Sequence, residues 1–342
     1  MGVPLRPLLD WEVFSLRRRD HPLRDRSVAV DASNFLGQAL FGRQNFDQRG
    51  RWVPRRDAEG RVVVHLEVAL LRIVGWLRAG IRPFFCFDGK ASPLKRRVEL
   101  SNPIRWHADL LGTIRGFVAL GRTDLAKRAW RDRRLSWETC LQDLRELCRA
   151  LGVPQVNAAG EGEAQACHLA KTGVADAVAS QDYDAVLYHP PAVVRNLQLA
   201  PRRRGGYGAL VRPELIRPDA VLKYHGISRF QLLDAAIMLG TDYNEPVRGV
   251  GPTRALNLVR AHGCLESVVE AVGDKFDFSG LLEVYEDVRD QFLFPEVNEA
   301  VPVPRWRAPF VEKARELVLE KHGLTRAWEL ASRTLQRAFP QG

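Results

Sequence analysis

Ala177–Val178–Ala179–Ser180–Gln181–Asp182–Tyr183–Asp184 is a short apolar run that stops on two acids. Two other runs have the same form: Val28–Ala29–Val30 meets Asp31, and Pro83–Phe84–Phe85–Cys86–Phe87 meets Asp88. None of the three alternates apolar with polar residues, as a strand covered on both faces requires. Helical patterns lie between them, at His65–Ala79 and Trp137–Leu151. The alternation predicts an α/β fold with a mainly parallel central sheet flanked by helices. Ligands of such sheets collect beyond the carboxyl ends of the strands, so the acids at the run ends meet at one edge. If the chain is extended there, Asp182 and Asp184 share a face.

Three more acids extend the set. Glu161 and Glu163 precede a helical pattern that runs through Ala170, and Asp242 follows the pattern Phe230–Leu239 and Gly240. On one helix, residues two apart point roughly 200° apart. The two glutamates therefore converge only with Glu161 in the loop or first turn and Glu163 inside the helix. Singly, each acid has an ordinary reading, since Asp ends strands and caps helices and Glu favours a first turn. Seven on one rim differ, because like charges held together without cations are costly. An all-oxygen set favours Mg²⁺ or Mn²⁺ over zinc. Two such ions roughly 3.5–4 Å apart form the usual clamp for phosphodiester hydrolysis.

The chain has 342 residues and 51 Lys+Arg against 41 Asp+Glu, a net charge of +10. Its composition is globular, which excludes disordered and collagen-like classes. No apolar run nears the roughly 20 residues of a membrane span, and no signal peptide is expected. Five cysteines read as core thiols of a reducing compartment. The charge is uneven. From Lys90 to Arg134, twelve basic residues face four acids, a local excess of +8, with Trp106, Phe117 and Trp130 interleaved. That density points to phosphates, because each neutralised phosphate releases a counterion. Arg43–Arg61 is a second basic stretch, and Arg202–Arg203–Arg204 is read as a solvated loop.

Between the patterns Phe230–Leu239 and Ala255–Ala261 lies Arg248–Gly249–Val250–Gly251–Pro252–Thr253–Arg254. Gly-x-Gly before a helix allows backbone N–H groups to approach a phosphate, with Arg248 and Arg254 beside it. The bland reading is a helix connector with Pro252 at the first helical position.

In this order the motifs resemble the flap endonucleases, structure-specific 5′-nucleases that include the XPG-type enzymes. The likeness runs from Met1–Gly2–Val3 through Val28–Ser33, Gly60–Arg61 with His65–Leu66, Gly80–Pro83 and Phe87–Lys90. It continues through Gly152–Pro154, Glu161–Ala164, Gln181–Asp184, Leu239–Tyr243 and Gly249–Pro252. The short chain looks archaeal-like, which implies a cytoplasmic, nucleoid-associated protein, expected to be a monomer. The resemblance implies a PIN-like core with a helical arch at 90–134 and a helix-two-turn-helix at 226–262. One integrated unit, 1–342, would comprise an N region 1–100, an I region 135–262 and a C-terminal helical segment 263–342.

The resemblance also implies roles. Asp31, Asp88, Glu161 and Glu163 match one metal group; Asp182, Asp184 and Asp242 match the other, with two Mg²⁺ as cofactors. Lys95 matches the arch lysine at the scissile phosphate, and Lys90 is placed to assist. Gly2, Arg96, Arg97, Arg105, Arg248, Gly249, Gly251, Thr253 and Arg254 are expected DNA contacts, with K⁺ near Gly249 and Gly251. Three departures stand out. Asn102 occupies the place of the arch arginine, so Arg96, Arg97 or Arg105 would substitute. Gly37 occupies the place of a stacking tyrosine, so Phe35 or Phe41 would supply the aromatic platform. The C-terminus, Thr334–Gly342, lacks the usual sliding-clamp motif. The expected substrate is branched duplex DNA with a 5′ single-stranded flap. The alternatives are a 5′-nuclease preferring gaps, bubbles or four-way junctions, a catalytically silent DNA-binding member, and a single-stranded RNA nuclease.

Overall fold

In the computed structural model the three acid-ended runs lie side by side. The structure describes residues 3–16, 18–42, 45, 47, 53–95, 123–197, 202–203 and 210–338. The first half supplies β1 (Glu12–Val13), β2 (Ser27–Asp31), α1 (Ala32–Phe41), α2 (Val64–Arg78) and β3 (Arg82–Phe87). Next come α3 (Thr123–Ala150), β4 (Gln155–Asn157), α4 (Gly162–Lys171), β5 (Ala177–Ala179), α5 (Asp184–Leu187) and β6 (Val193–Arg195). Strands β7 (Arg202–Arg203), β8 (Leu210–Val211) and β9 (Glu214–Ile216) follow.

The sheet has seven strands in the order β1-β9-β6-β5-β2-β3-β4. From β6 to β4 every pairing is parallel, and β9 and β1 are added antiparallel. Alternate side chains explain why the runs lack polar positions. Ala29, Phe84, Cys86 and Val178 enter one buried cluster; Val28, Val30, Phe85, Phe87, Ala177 and Ala179 enter the other. Both faces are dry, so no position on these strands tolerates a charge until the strand ends. The order reverses beside β2, where β3 lies on one side and β5 on the other. That switch point, at the strands' carboxyl ends, is where such sheets open a crevice.

Two sequence expectations change. Arg202–Arg203 is not loop but pairs with Leu210–Val211 in a two-stranded ribbon. Strand β5 ends at Ala179, Asp182 lies in the following bend and Asp184 starts α5, so the two acids do not share a strand face. Their convergence comes from the turn.

The second half is helical: α6 (Pro218–His225), α7 (Arg229–Leu239), α8 (Pro252–His262), α9 (Leu265–Val272), α10 (Ser279–Leu282), α11 (Tyr285–Leu293), α12 (Val311–Arg315) and α13 (Thr325–Ala338). Ser228 starts α7 through a capping box with Gln231, and Gly240 stops it at φ +83°. Gly251 caps α8, with Pro252 in its first turn. Between α11 and α12 the chain passes the end of α3, the turn that follows it and strand β3. Arg307 N donates to Gly152 O (3.0 Å), Phe310 N to Ala150 O (2.8 Å) and Trp306 Nε1 to Pro83 O (2.6 Å). Gly152 has φ +68°, and a Cβ there would lie 2.1 Å from Arg307 O, so only glycine fits.

All five cysteines are free, and four are buried. No helix among the described residues is long and apolar enough to cross a membrane. Helix α3, about 42 Å long at 1.5 Å per residue, leads out of the basic segment towards β4. Residues 96–122, with Arg96, Arg97, Asn102 and Arg105, lie outside the described residues, as does Gly2.

Candidate active site

Each acid reaches the crevice by its own local device. Asp31 is both the last residue of β2 and the N-cap of α1, accepting from Asn34 N at 3.0 Å. Asp88 follows β3 and accepts from Gly162 N (2.6 Å) and from the Ser33 hydroxyl. Glu161 caps α4 and Glu163 sits in its first turn, the arrangement that convergence required. Glu163 accepts from Ser180 Oγ at 2.5 Å. Asp182 accepts from Asn34 Nδ2 at 2.7 Å, and Asp184 from Val3 N at 2.6 Å. The backbone of Val3 thus brings the start of the chain to the crevice.

Lys95 lies among these groups. Its Nζ is 2.8 Å from Glu161 Oε2 and 3.8 Å from Asp242 Oδ2. Burial would lower the lysine's pKa, but the charges of Glu161 and Asp242 overcome it and hold the ammonium firmly protonated. The acids show the converse. Burial, then the charges of Asp88 and Asp182, pushes Asp31 up to about 8. Burial, then Asp242 and Asp182, pushes Asp184 up to about 8 as well. Glu163 is driven well up by burial and by Asp182, Asp31 and Asp184. Glu161 is raised chiefly by burial, against the pull of Lys95.

The donor set fits hard cations. Every member is a carboxylate, and Glu161 Oε1 and Asp184 Oδ2 are buried without a hydrogen-bond partner. Among the described residues no three His, Cys, Asp or Glu side chains close into a finished metal cage. Instead Ser33, Asn34, Ser180, Lys95 and the N–H groups of Val3 and Gly162 steady both oxygens of Asp88 and one oxygen each of Asp31, Glu161, Glu163, Asp182 and Asp184. That arrangement is an open anionic rim. Its charge and oxygen donors suit Mg²⁺ better than softer metals.

The remaining expected residues separate. Lys90 is exposed, and its backbone N–H donates to Ala159 O at 2.9 Å. Arg248, Gly249 and Gly251 lie exposed in the turn before α8, and Thr253 and Arg254 are exposed in its first turn; Gly249 has φ +82°, and Arg254 Nη1 donates back to Gly249 O. Phe35 is buried, edge-on to Trp76 and Phe85 at 5.7 and 5.2 Å, so it is core and presents no platform. Phe41 is partly exposed and stacks on Trp137, with centroids 6.5 Å apart and planes within 5°. The supporting roles of Ser33, Asn34 and Ser180 are not marked in the sequence by residue type or spacing, apart from the nearness of Ser33 and Asn34 to Asp31.

Two segments of the chain match the two parts of the XPG-type nuclease class. The XPG N-terminal domain profile matches residues 11–102, and the XPG I-region profile matches residues 152–242. Flap endonuclease 1 of Methanothermobacter thermautotrophicus is 39% identical over 334 residues, 95% of this chain and 92% of that one. The protein of that name from Aeropyrum pernix is 37% identical over 347 residues, 98% of this chain and 94% of that one. The solved flap endonuclease-1 from Methanococcus jannaschii superposes with a TM-score of 0.74 at 26% identity, covering 99% of each chain. The catalytic core of Rad2 in complex with DNA substrate shares the fold, at TM-score 0.69 and 20% identity over 98% of this chain and 97% of that one. The chain belongs to the flap endonuclease family.

Proposed function

We propose that this protein is a structure-specific flap endonuclease with accompanying 5′→3′ exonuclease activity, hydrolysing DNA phosphodiesters near the base of 5′ flaps in replication and repair. The observation that carries the reading is the convergence of seven carboxylates at the sheet's switch point around the Lys95 ammonium. Asp31, Asp88, Glu161 and Glu163 would hold one Mg²⁺, and Asp182, Asp184 and Asp242 a second, with Mn²⁺ able to replace it. Bound there, the ions would activate water and neutralise the phosphate.

The chain's own residues prepare the rest. Lys95 brings a fixed positive charge to the rim, placed to turn from Glu161 to a phosphate oxygen. Ser33, Asn34 and Ser180 orient the carboxylates. Lys90 stands exposed two residues after Asp88, where it can assist. The basic segment beyond Lys95, with Arg96, Arg97 and Arg105, would hold the single strand by its phosphates. The segment Arg248–Arg254 would hold duplex backbone through exposed N–H groups at the start of α8, aided by K⁺ at Gly249 and Gly251.

Purified protein incubated with a labelled 5′-flap duplex, a nicked duplex and a four-way junction tests the reading. Mg²⁺-dependent cutting concentrated near the flap base supports it. Preferential cutting of the four-way junction would replace it with the junction-resolving alternative.

A further inference from the structure

Asp182 differs from the acids at strand and helix ends, because it lies in the bend between β5 and α5. Its backbone N–H is held by Ser180 Oγ at 3.1 Å, and side chains from other elements grip the residues around it. We infer that Arg195 is a positioning residue of the nuclease site, which with Asn34 grips the turn that presents Asp182 and Asp184. This inference rests on the reading of those acids as catalytic metal ligands.

Arg195 ends β6, the strand beside β5. Its side chain is only 14% exposed. Nε donates to Gln181 O at 3.0 Å, Nη1 donates to Glu214 Oε2 at 3.1 Å and to the Tyr183 hydroxyl, and Cζ lies 3.8 Å above the centre of the Tyr183 ring. One guanidinium thus touches the residues on both sides of Asp182, while Glu214 on β9 ties it to the sheet. From the opposite side, Asn34 Oδ1 accepts from Gln181 N at 2.9 Å, and its Nδ2 donates to Asp182 itself. Gln181 is therefore held by its N–H from α1 and by its carbonyl from β6.

An ion pair with Glu214 alone would need none of the contacts to Gln181 and Tyr183. The planar fork makes them all together while its face stacks on the ring. A lysine ammonium cannot reproduce that arrangement.

The test compares the wild-type full chain with Arg195→Lys, Arg195→Gln and Asn34→Ala. Three quantities are measured: melting temperature, single-turnover cleavage of 5′-flap DNA at saturating enzyme, and Mn²⁺ binding to the DNA-free protein by calorimetry. Losing a group that orients metal ligands typically costs about 10–100-fold in activity or metal affinity. That range is expected for the cleavage rate of both Arg195 variants, with flap affinity unchanged and Mn²⁺ affinity weakened by about tenfold. Asn34→Ala should repeat the pattern, and it carries the test together with Arg195→Lys if Arg195→Gln fails to fold. Arg195→Lys with wild-type rate and Mn²⁺ affinity would overturn the inference by showing that a bridging charge suffices. A lowered melting temperature with both other quantities unchanged would overturn it too. Wild-type protein that binds Mn²⁺ but leaves the flap uncut would instead overturn the substrate reading, and the Mn²⁺ comparison would still decide the role of Arg195.

Discussion

Lys95 Nζ lies 2.8 Å from Glu161 Oε2 across 66 residues of sequence. The side chains are 19% and 11% exposed, so the pair is little screened by solvent. Lys95 is a cation built into a rim of acids that repel one another. Removing one partner of a buried pair typically costs about 3 kcal/mol or more, and these two keep some exposure. Lys95→Met is therefore expected to lower stability in metal-free buffer by about 3 kcal/mol, with Mg²⁺ restoring part of the loss. Thermal melts in EDTA and in Mg²⁺ check this. Equal melting temperatures for wild type and variant in EDTA would contradict it.

Gly89 fixes the spacing between two of the acids. A Cβ there would lie 2.3 Å from Ala158 O and 2.4 Å from Ala159 O, both backbone atoms on the way to Glu161. Gly89→Ala must push the Asp88 loop away from the Ala158–Glu161 segment. It is expected to cost about 1–3 kcal/mol and to lower cleavage. Gly37→Ala is the contrast, since a Cβ in the middle of α1 meets nothing within 4 Å. Denaturant melts should show that variant stabilised by about 0.5–1 kcal/mol.

Asp57 predicts an acid dependence remote from the rim. Its side chain and that of His322 are each 2% exposed and meet at 2.8 Å, while Arg61 Nε lies 2.7 Å from the same carboxylate. Burial alone would raise the carboxylate's pKa, but the hydrogen bonds from His322 and Arg61 outweigh it and bring it down to about 2. A depressed carboxylate contributes stability above its unfolded pKa, near 4, and loses it as pH falls through the folded value. Wild type should therefore lose stability between about pH 4 and about pH 2, and Asp57→Asn should lose less over that interval. Melts across the interval decide it; parallel curves would remove Asp57 as a cause.

The two aromatic residues of α1 should behave oppositely. Phe35→Ala removes a core ring packed on Trp76 and Phe85, and is expected to cost about 3–5 kcal/mol of stability. Phe41→Ala should spare stability by comparison and weaken flap binding by about 1–3 kcal/mol, the usual range for base stacking. Urea melts and fluorescence anisotropy separate the two.

What the sequence made legible follows from which physical signals are local. Strands β2, β3 and β5 could be read because a sheet buried on both faces leaves apolar runs, the first two ending directly on Asp31 and Asp88 and the third three residues before Asp182. Strand β4 has polar Gln155 and Asn157 at its ends, and β9 and β1 are two or three residues long, so nothing in their pattern sets them apart. The seven acids were visible by type and spacing. Their supports were not: Asn34 meets Asp182 across 148 residues and Ser180 meets Glu163 across the crevice, contacts that only the register of β2 and β5 creates. Phe35 looked available because an aromatic residue near a site carries no mark of direction. Its place on the inner face of α1 decided otherwise.

The central claim is that the acids at the switch point cut the strand. Single-turnover cleavage of a labelled 5′-flap duplex in Mg²⁺, by wild type and by Asp182→Ala at equal folded concentration, tests it most directly. Wild type is expected to cut near the flap base, and the variant to bind the flap but lose cleavage by several orders of magnitude. A variant that cuts at the wild-type rate would contradict the claim.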